Sequence, residues 1–431
     1  MASQAKVVEK QYLLPFVLIT SLFALWGFAN DITNPMVAAF KTVMEISNAK
    51  ASLVQFAFYG GYATMAIPAA LFVQKYSYKK GILLGLTLYA IGALLFWPAA
   101  QYQIFGFFLV SLYILTFGLA FLETTSNPFI LSMGSEETAT RRLNLAQAFN
   151  PMGSLLGMFV ASQLVLSSLE SDKQRNAAGE LIFSSLDEST KAVMRTHDLM
   201  VIRNPYVALG IVVIVMFIII SIVKMPQTGH ANKIDPVASF KRLLANSNYR
   251  EGVVAQVFYV AAQIMCWTFI IQYADNLGID KATAQRYNIV AMGIFLGSRF
   301  ASTFLMKYVN SRRLLMIFAI GAIGTMSGVI IFQDLKGLYC LVATSAFMSL
   351  MFPTIYGIAL EGIGEDATLG AAGLVMAIVG GALMPPLQGT IIDMGTVGAA
   401  PAVNVSFLLP FICFVMIAIY GYRSYKAHQQ V

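Results

Sequence analysis

Long uninterrupted apolar runs dominate the hydropathy pattern of this chain. A helix crosses a bilayer with about 20 apolar residues, and twelve runs reach this length. Their approximate limits are 12–40, 50–74, 81–100, 103–133, 142–167, 204–223, 251–274, 283–306, 313–333, 337–360, 369–392 and 402–422. The first run lacks a small-residue cleavage site, so we expect a retained span and not a signal peptide. The pattern predicts an all-α integral membrane protein with twelve transmembrane helices.

Two long polar connections interrupt the runs, at 168–203 and between the sixth and seventh runs. The charges of the first connection are mixed, which favours a solvated outer cap. The second connection is basic and divides the runs equally. Two six-helix bundles are the organisation of a secondary transporter. The predicted division is a first half over 1–224, a cytoplasmic linker over 225–250 and a second half over 251–431.

The composition changes this picture little, because 58% of the 431 residues are hydrophobic and only 11% are charged. Soluble domains carry about 25% charged residues, so we expect no appended soluble enzyme domain. The cysteines lie singly in apolar runs, and the histidines lie outside them. This placement argues against a metal site or a histidine-based catalytic site, so we predict no cofactor and no enzyme activity. These residues are Cys266, Cys340, Cys413, His197, His230 and His428.

The net charge of +7 follows the connections between the runs. If both termini are placed inside, most lysines and arginines fall in cytoplasmic segments, as the positive-inside rule requires. The basic excess therefore indicates membrane orientation and not nucleic-acid binding. We expect the lipid bilayer as the surrounding partner, cytoplasmic termini and a monomer.

Glu123 is the most informative charge in the chain. No charged residue precedes it back to Ile104, and none follows it before Glu136. Helical geometry places it about 15 Å from the helix end near Gly134, which is roughly mid-bilayer. A carboxylate there costs about 2.5–3.5 kcal/mol, so it should face a protein interior or a water-filled cavity. We interpret it as a functional group; the alternative is a structural hydrogen-bond partner or a buried ion pair.

The first run contains a second polar segment, from Asn30 to Pro35. Asp31 and Asn34 are three residues apart and share a helix face. Pro35 lacks an amide hydrogen and its ring clashes with the carbonyl of Asp31, so the helix should kink or unwind. A carboxylate, two amides and freed backbone groups suit a polyol. The alternative is a polar kink packed against neighbouring helices.

Amide side chains also recur at helical spacing in the fifth run, at Asn144, Gln147 and Asn150. Such a stripe either joins helices or binds a polar ligand. Because amides donate and accept together, we favour sugar hydroxyls as their partners. The complete set of predicted substrate-binding residues is Trp26, Asn30, Asp31, Asn34, Tyr59, Asn127, Gln147, Asn150, Gln256, Tyr259, Gln263 and Tyr356.

Several motifs spread over nearly the whole chain match a known family. These stretches are 22–26, 77–81, 95–100, 122–124, 127–129, 142–147, 346–349 and 353–355. On them the chain resembles the fucose–galactose–glucose–proton symporters of the major facilitator superfamily. The resemblance implies the major facilitator fold and proton-driven sugar uptake across the bacterial inner membrane by alternating access. It also implies that Glu123 and a carboxylate in the first span handle protons or sugar, and that Gln147 and Asn150 contact sugar.

One departure from the family pattern lies in the first span. The family has Asn-Asn-x-x-Asp, whereas this chain has Asn30-Asp31-Ile32-Thr33-Asn34, so the acid and the amide have exchanged positions. They remain on one face, but the charge moves nearly one helical turn.

We therefore predict a proton-coupled symporter for a neutral monosaccharide. Glu123 and Asp31 are its predicted proton-coupling residues. L-fucose is the first expected substrate, and the alternative is glucose or galactose. An uncoupled sugar facilitator is a further alternative, although pure facilitation needs no titratable group in a span.

Overall fold

The computed structural model describes residues 8–131, 133–134, 146, 149–176, 179–226, 236–305, 308–363 and 366–429. Within these ranges, eleven helical stretches are long and apolar enough to cross a membrane. The remaining predicted span corresponds to the 25-residue helix Lys281–Leu305, whose apolar character is reduced by Gln285, Asn288 and Arg299. The predicted all-α architecture with twelve membrane spans is confirmed.

The first half contains the helices α1 to α10. They are α1 (Leu13–Thr33), α2 (Met36–Val43), α3 (Asn48–Ala51), α4 (Leu53–Lys75), α5 (Tyr78–Leu94), α6 (Phe96–Tyr102), α7 (Phe105–Leu131), α8 (Phe149–Val160), α9 (Glu170–Lys173) and α10 (Glu188–Ile222). A π-helical turn over Ala161–Val165 and a 3-10 turn over Leu166–Ser168 continue α8.

The linker and the second half contain α11 to α21. They are α11 (Pro236–Ala245), α12 (Ser247–Thr268), α13 (Ile270–Asn276), α14 (Lys281–Leu305), α15 (Ser311–Ile331), α16 (Leu335–Met348), α17 (Met351–Leu360), α18 (Ala367–Met376), α19 (Gly380–Ile392), α20 (Ala402–Ser406) and α21 (Leu408–Gln429). A small antiparallel hairpin pairs β1 (Thr396–Val397) with β2 (Ala400–Pro401), with Thr396 opposite Pro401.

The bundle has two ends, which we name for the segments they carry. The loop face carries residues 169–187 and the hairpin, and the terminal face carries residues 8–12 and 423–429. Since successive spans alternate in direction, the start of α4 and the end of α19 both lie at the loop face.

The predicted 168–203 connection is wrong in its second part, because α10 already begins at Glu188. Asp187 caps this helix by accepting a hydrogen bond from the Thr190 backbone amide at 2.9 Å. Lys191 in its first turns pairs with Glu45 at 3.2 Å. Hydropathy marks only the membrane part of a helix, so it misses this polar extension. His197, expected in a loop, also lies in α10.

The predicted linker over 225–250 contains structure as well. It includes the whole of α11, and α12 begins inside it at Ser247. The helices of each half pack closely within their own half, as α1 does on α8. A Cβ on Gly153 would overlap the carbonyl of Ala24, so only glycine permits this close crossing. The rigid pairing of α1 with α8 determines where the polar residues of the first span lie.

Candidate transport site

The polar segment of the first span lies at a break between two helices. α1 ends at Thr33, and α2 begins at Met36, with Pro35 as its N-cap residue. The break predicted at Pro35 is therefore confirmed. Proline has no amide hydrogen to donate, and its ring clashes with the backbone carbonyl of the preceding helical turn. Asp31 lies just before the break and is 2% exposed. It accepts a hydrogen bond from Asn34 Nδ2 at 3.2 Å. Ser154 on α8 lies nearby, and its hydroxyl donates to the carbonyl of Gly27 at 3.5 Å.

Asn34 links this carboxylate to α4. Its Oδ1 accepts hydrogen bonds from Gln55 Nε2 at 3.2 Å and from the Tyr59 hydroxyl at 3.3 Å. Tyr59 also interacts electrostatically with Asp31. The predicted residues Asp31, Asn34 and Tyr59 are thus brought together in one buried network.

The same network reaches the second half of the molecule. Gln55 Nε2 also donates to Thr268 Oγ1, at the end of α12, at 3.0 Å. Both side chains are fully buried. The hydrogen-bond chain therefore runs from the first-span carboxylate across the boundary between the halves.

Glu123 lies in α7 and belongs to a second group of residues. Its side chain is half-buried. Asn127, one turn later, donates to the Glu123 carbonyl at 3.2 Å. Glu123 interacts electrostatically with Tyr62 on α4 and with Tyr356 on α17. The carboxyl group therefore lies within electrostatic range of residues from both halves of the bundle.

Each of the two acids lies near a tyrosine of α4. Tyr59 interacts with Asp31, Tyr62 interacts with Glu123, and the two tyrosines interact with each other. Trp26 of α1 lies near Tyr62. The tyrosine pair on one helix thus connects the predicted proton-coupling residues.

The amide stripe of the fifth span is described only in part. Asn144 and Gln147 lie outside the described residues. Asn150 is half-buried, and its Nδ2 donates to the carbonyl of Phe23 on α1 at 3.3 Å. In this structure Asn150 therefore joins two helices, while part of its side chain stays accessible. Asn30 of α1 is also half-buried.

The predicted residues of the second half differ in their surroundings. The Tyr259 hydroxyl donates to the Met348 carbonyl at 3.1 Å, which gives Tyr259 a structural contact. Gln263 and Tyr356 are half-buried. Gln256 is fully buried, and neither polar atom of its amide has a hydrogen-bond partner in the structure. Buried amides are usually satisfied, so Gln256 has free capacity for water or a ligand hydroxyl.

The described residues contain no cluster of histidine, cysteine, aspartate and glutamate that could hold a metal ion. The site instead consists of carboxyl, amide and aromatic side chains between two helical bundles. A family model described as Major Facilitator Superfamily matches residues 17–385. The chain belongs to the Major Facilitator Superfamily.

Relatives within the superfamily cover almost the whole chain. The L-fucose-proton symporter of Haemophilus influenzae is 68% identical over 424 residues, which are 98% of this chain and 99% of the relative. The L-fucose-proton symporter of Escherichia coli is 33% identical, over 97% of this chain and 95% of the relative. A crystal structure of the superfamily transporter FucP in the outward conformation matches with a TM-score of 0.73 and 32% identity. That match covers 96% of this chain and 99% of FucP. The chain is a multi-pass membrane transporter and not an enzyme.

Sequence reasoning missed three members of the site: Gln55, Tyr62 and Thr268. Gln55 offered a usable signal, because it is an amide within the apolar run Leu53-Val54-Gln55-Phe56. Thr268 offered none, since hydroxyl side chains are common in membrane helices and usually bond to their own backbone. Its partner comes from the other half of the chain, so only the structure identifies it.

Proposed function

We propose that this protein imports L-fucose together with protons across the bacterial inner membrane, as a monomer with both termini in the cytoplasm. The observation that carries the proposal is the position of Glu123. It is a half-buried carboxyl in an otherwise uncharged span, and it lies within electrostatic range of Tyr62 of one half and Tyr356 of the other. A titratable group between two moving halves is what coupling requires. The printed names of the two relatives, both L-fucose-proton symporters, support the choice of sugar.

The proposed sugar site lies between the halves, beside the two acids. Amides both donate and accept, which matches the hydroxyls of a neutral sugar, and aromatic rings can lie against its apolar faces. Asn30, Asn150 and Gln263 keep accessible surface for such contacts. The proposed set is the one derived from the sequence: Trp26, Asn30, Asp31, Asn34, Tyr59, Asn127, Gln147, Asn150, Gln256, Tyr259, Gln263 and Tyr356.

In the proposed cycle, sugar and a proton enter while the loop face is open to the periplasm. The proton binds the Glu123 carboxyl and removes its charge, so the loaded carrier can enclose the group without burying an ion. The Asp31 carboxylate accepts hydrogen bonds from the sugar hydroxyls. The halves then close at the loop face, and the proton and sugar leave towards the cytoplasm. Loss of the proton from Glu123 on the cytoplasmic side resets the empty carrier, which returns to the state that is open at the loop face.

Substitution of Glu123 by Gln tests the coupling. The amide keeps the size of the side chain but cannot exchange a proton, so uphill accumulation of L-fucose should fall to the level without a pH gradient. Sugar exchange between equal concentrations should persist. The assay is uptake of labelled L-fucose into proteoliposomes with an imposed pH gradient. Glu251→Gln, the same change at an exposed site, is the matched control. Full accumulation by Glu123→Gln would remove Glu123 as the coupling residue.

Competition identifies the sugar. Unlabelled L-fucose, D-arabinose, D-galactose and D-glucose are each added to labelled L-fucose uptake by the wild-type protein. We expect L-fucose to compete best. If D-glucose or D-galactose competes more strongly than L-fucose, that sugar is the substrate and the assignment of L-fucose is wrong. Uptake without movement of protons would indicate a facilitator.

A further inference from the structure

Gln55 lies between the two halves, and both hydrogens of its amide nitrogen are used in hydrogen bonds. Its Nε2 donates to Asn34 Oδ1 at 3.2 Å and to Thr268 Oγ1 at 3.0 Å. An amide nitrogen has two hydrogens to donate, so neither is left over. The side chains of Gln55, Asn34 and Thr268 are all buried, at 0%, 1% and 0% exposure. Opening the loop face would separate Thr268 from Gln55, because the two residues belong to different halves.

The bond from Gln55 also defines which way the Asn34 amide points. Asn34 Oδ1 accepts from Gln55 and from the Tyr59 hydroxyl, while its Nδ2 donates to Asp31 Oδ1. A rotated Asn34 amide would turn its NH₂ towards the NH₂ of Gln55 and its oxygen towards the carboxylate. Both contacts would be repulsive. Asn34 therefore serves as a donor to Asp31 as long as Gln55 is held in place.

We infer that Gln55 and Thr268 are positioning residues for Asp31, which act through Asn34. Closure of the loop face holds the Gln55 amide and thereby the hydrogen bond that Asp31 receives. By thermodynamic linkage, an ionised acceptor at position 31 stabilises the closed loop face in return. This relay rests on the proposed function for its physiological role. It makes the first-span acid part of conformational coupling, beside its expected contact with sugar.

A thiol reporter measures closure without any sugar. Ser162 is fully buried, and its hydroxyl donates to the Ala282 carbonyl of the other half at 3.4 Å. Ser162→Cys introduces a thiol that a maleimide reaches when the loop face opens. The measurement is the labelling rate of detergent-solubilised protein, and the parent without this cysteine corrects for Cys266, Cys340 and Cys413.

Thr268→Val removes the acceptor while keeping the shape of the side chain. It leaves a buried donor of Gln55 unpaired, so the labelling rate should rise about 5- to 10-fold. Thr268→Ser keeps the hydroxyl and should label at about the wild-type rate. Equal rates for the valine and serine variants would overturn the inference.

A double-mutant cycle with Asp31→Asn separates positioning from simple packing. An amide at position 31 can both donate and accept, so Asn34 is no longer held in one orientation, and the effect of Thr268→Val should shrink to less than about 2-fold. A purely structural Thr268 would give the same factor in both backgrounds, which would refute the relay. If Asp31→Asn does not fold, Asn34→Ala provides the same cycle. Proton-driven L-fucose uptake by the wild type is measured in parallel: its absence refutes the proposed function, whereas the labelling rates judge the relay.

Discussion

The two ends of the bundle are held together in different ways. At the loop face, polar contacts cross between the halves. Asp393 at the end of α19 accepts hydrogen bonds from the backbone amides of Asn48 and Ala49, both at 2.8 Å. Lys281 pairs with Asp172 at 2.7 Å. Further crossing pairs are Arg175 with Asp275, Gln55 with Thr268 and Ser162 with Ala282.

At the terminal face, several polar contacts between described residues lie within one half. Lys79 donates to the carbonyl of Ser221 at 2.8 Å inside the first half. Arg242 of the linker helix pairs with Asp366 at 2.6 Å on the second half. Two further pairs of this kind are Arg423 with Glu251 and Arg312 with Glu361.

This difference indicates which contacts must break during transport. The structure is closed at the loop face, where the bonds join the halves. The bonds of the terminal face instead brace each half as a rigid unit, which is the requirement for one half to rock against the other. Weakening a loop-face contact should therefore change the equilibrium between conformations, whereas weakening a terminal-face contact should change only local stability.

The largest effect is expected for Lys281→Ala. The side chains of Lys281 and Asp172 are 2% and 7% exposed, and loss of one partner leaves a buried charge. Asp172 keeps its contact with Arg175. We therefore expect the free energy of the closed state to rise by about 3 kcal/mol, the low end of the range for a broken buried ion pair. The Ser162→Cys reporter should label roughly 100-fold faster.

Arg423→Ala is the matched control at the terminal face. Its pair with Glu251 is exposed, at 63% and 38% for the two side chains, and such pairs contribute about 0–1 kcal/mol. The labelling rate should stay near that of the parent. If both variants label alike, the contrast between the two faces is wrong.

A smaller effect is expected for Asp393→Ala. This carboxylate caps the N-terminus of α3 from the other half, with a further bond from Asn48 Nδ2 at 2.7 Å. Loss of a helix N-cap costs about 0.5–2 kcal/mol. Because this cap forms only when the halves are in contact, the loss destabilises the closed state. Labelling of Ser162→Cys should rise, and Asp393→Asn should retain part of the cap. Unchanged labelling with lowered thermal stability would mean that this contact only supports local structure.

The smallest effect is local and depends on pH. Arg242 and Ser239 lower the pKa of Asp366 to about 2. A depressed pKa in the folded state stabilises docking of α11 above the unfolded value of about 3.9, and this contribution is lost as the pH falls through about 2. Protection of residues 236–245 against hydrogen exchange, relative to the intrinsic exchange rate at each pH, should therefore fall between about pH 4 and pH 2. Asp366→Asn should exchange fast throughout, and the Ser162→Cys labelling rate should not respond to this variant.

Hydropathy alone determined the positions of the spans, because a bilayer requires about 20 apolar residues in each crossing helix. It located even Lys281–Leu305, despite the polar residues in that helix. Local chemistry determined the break at Pro35, since a proline ring disrupts the helix whatever surrounds it. The functional interpretation of Glu123 had the same origin, because a charge in an apolar span is costly in any fold. The roles of individual site residues stay predictions.

Only the tertiary structure decided which residues meet across the halves. Asn48 and Asp393 are 345 positions apart, and no periodicity or local propensity relates them. Gln55 and Thr268 are paired because α4 and the end of α12 converge at the loop face. A hydrogen bond forms within about 3 Å, whereas hydropathy specifies only depth in the membrane. Sequence thus fixes how deep each polar group lies, and the packing of the halves fixes which partner it finds.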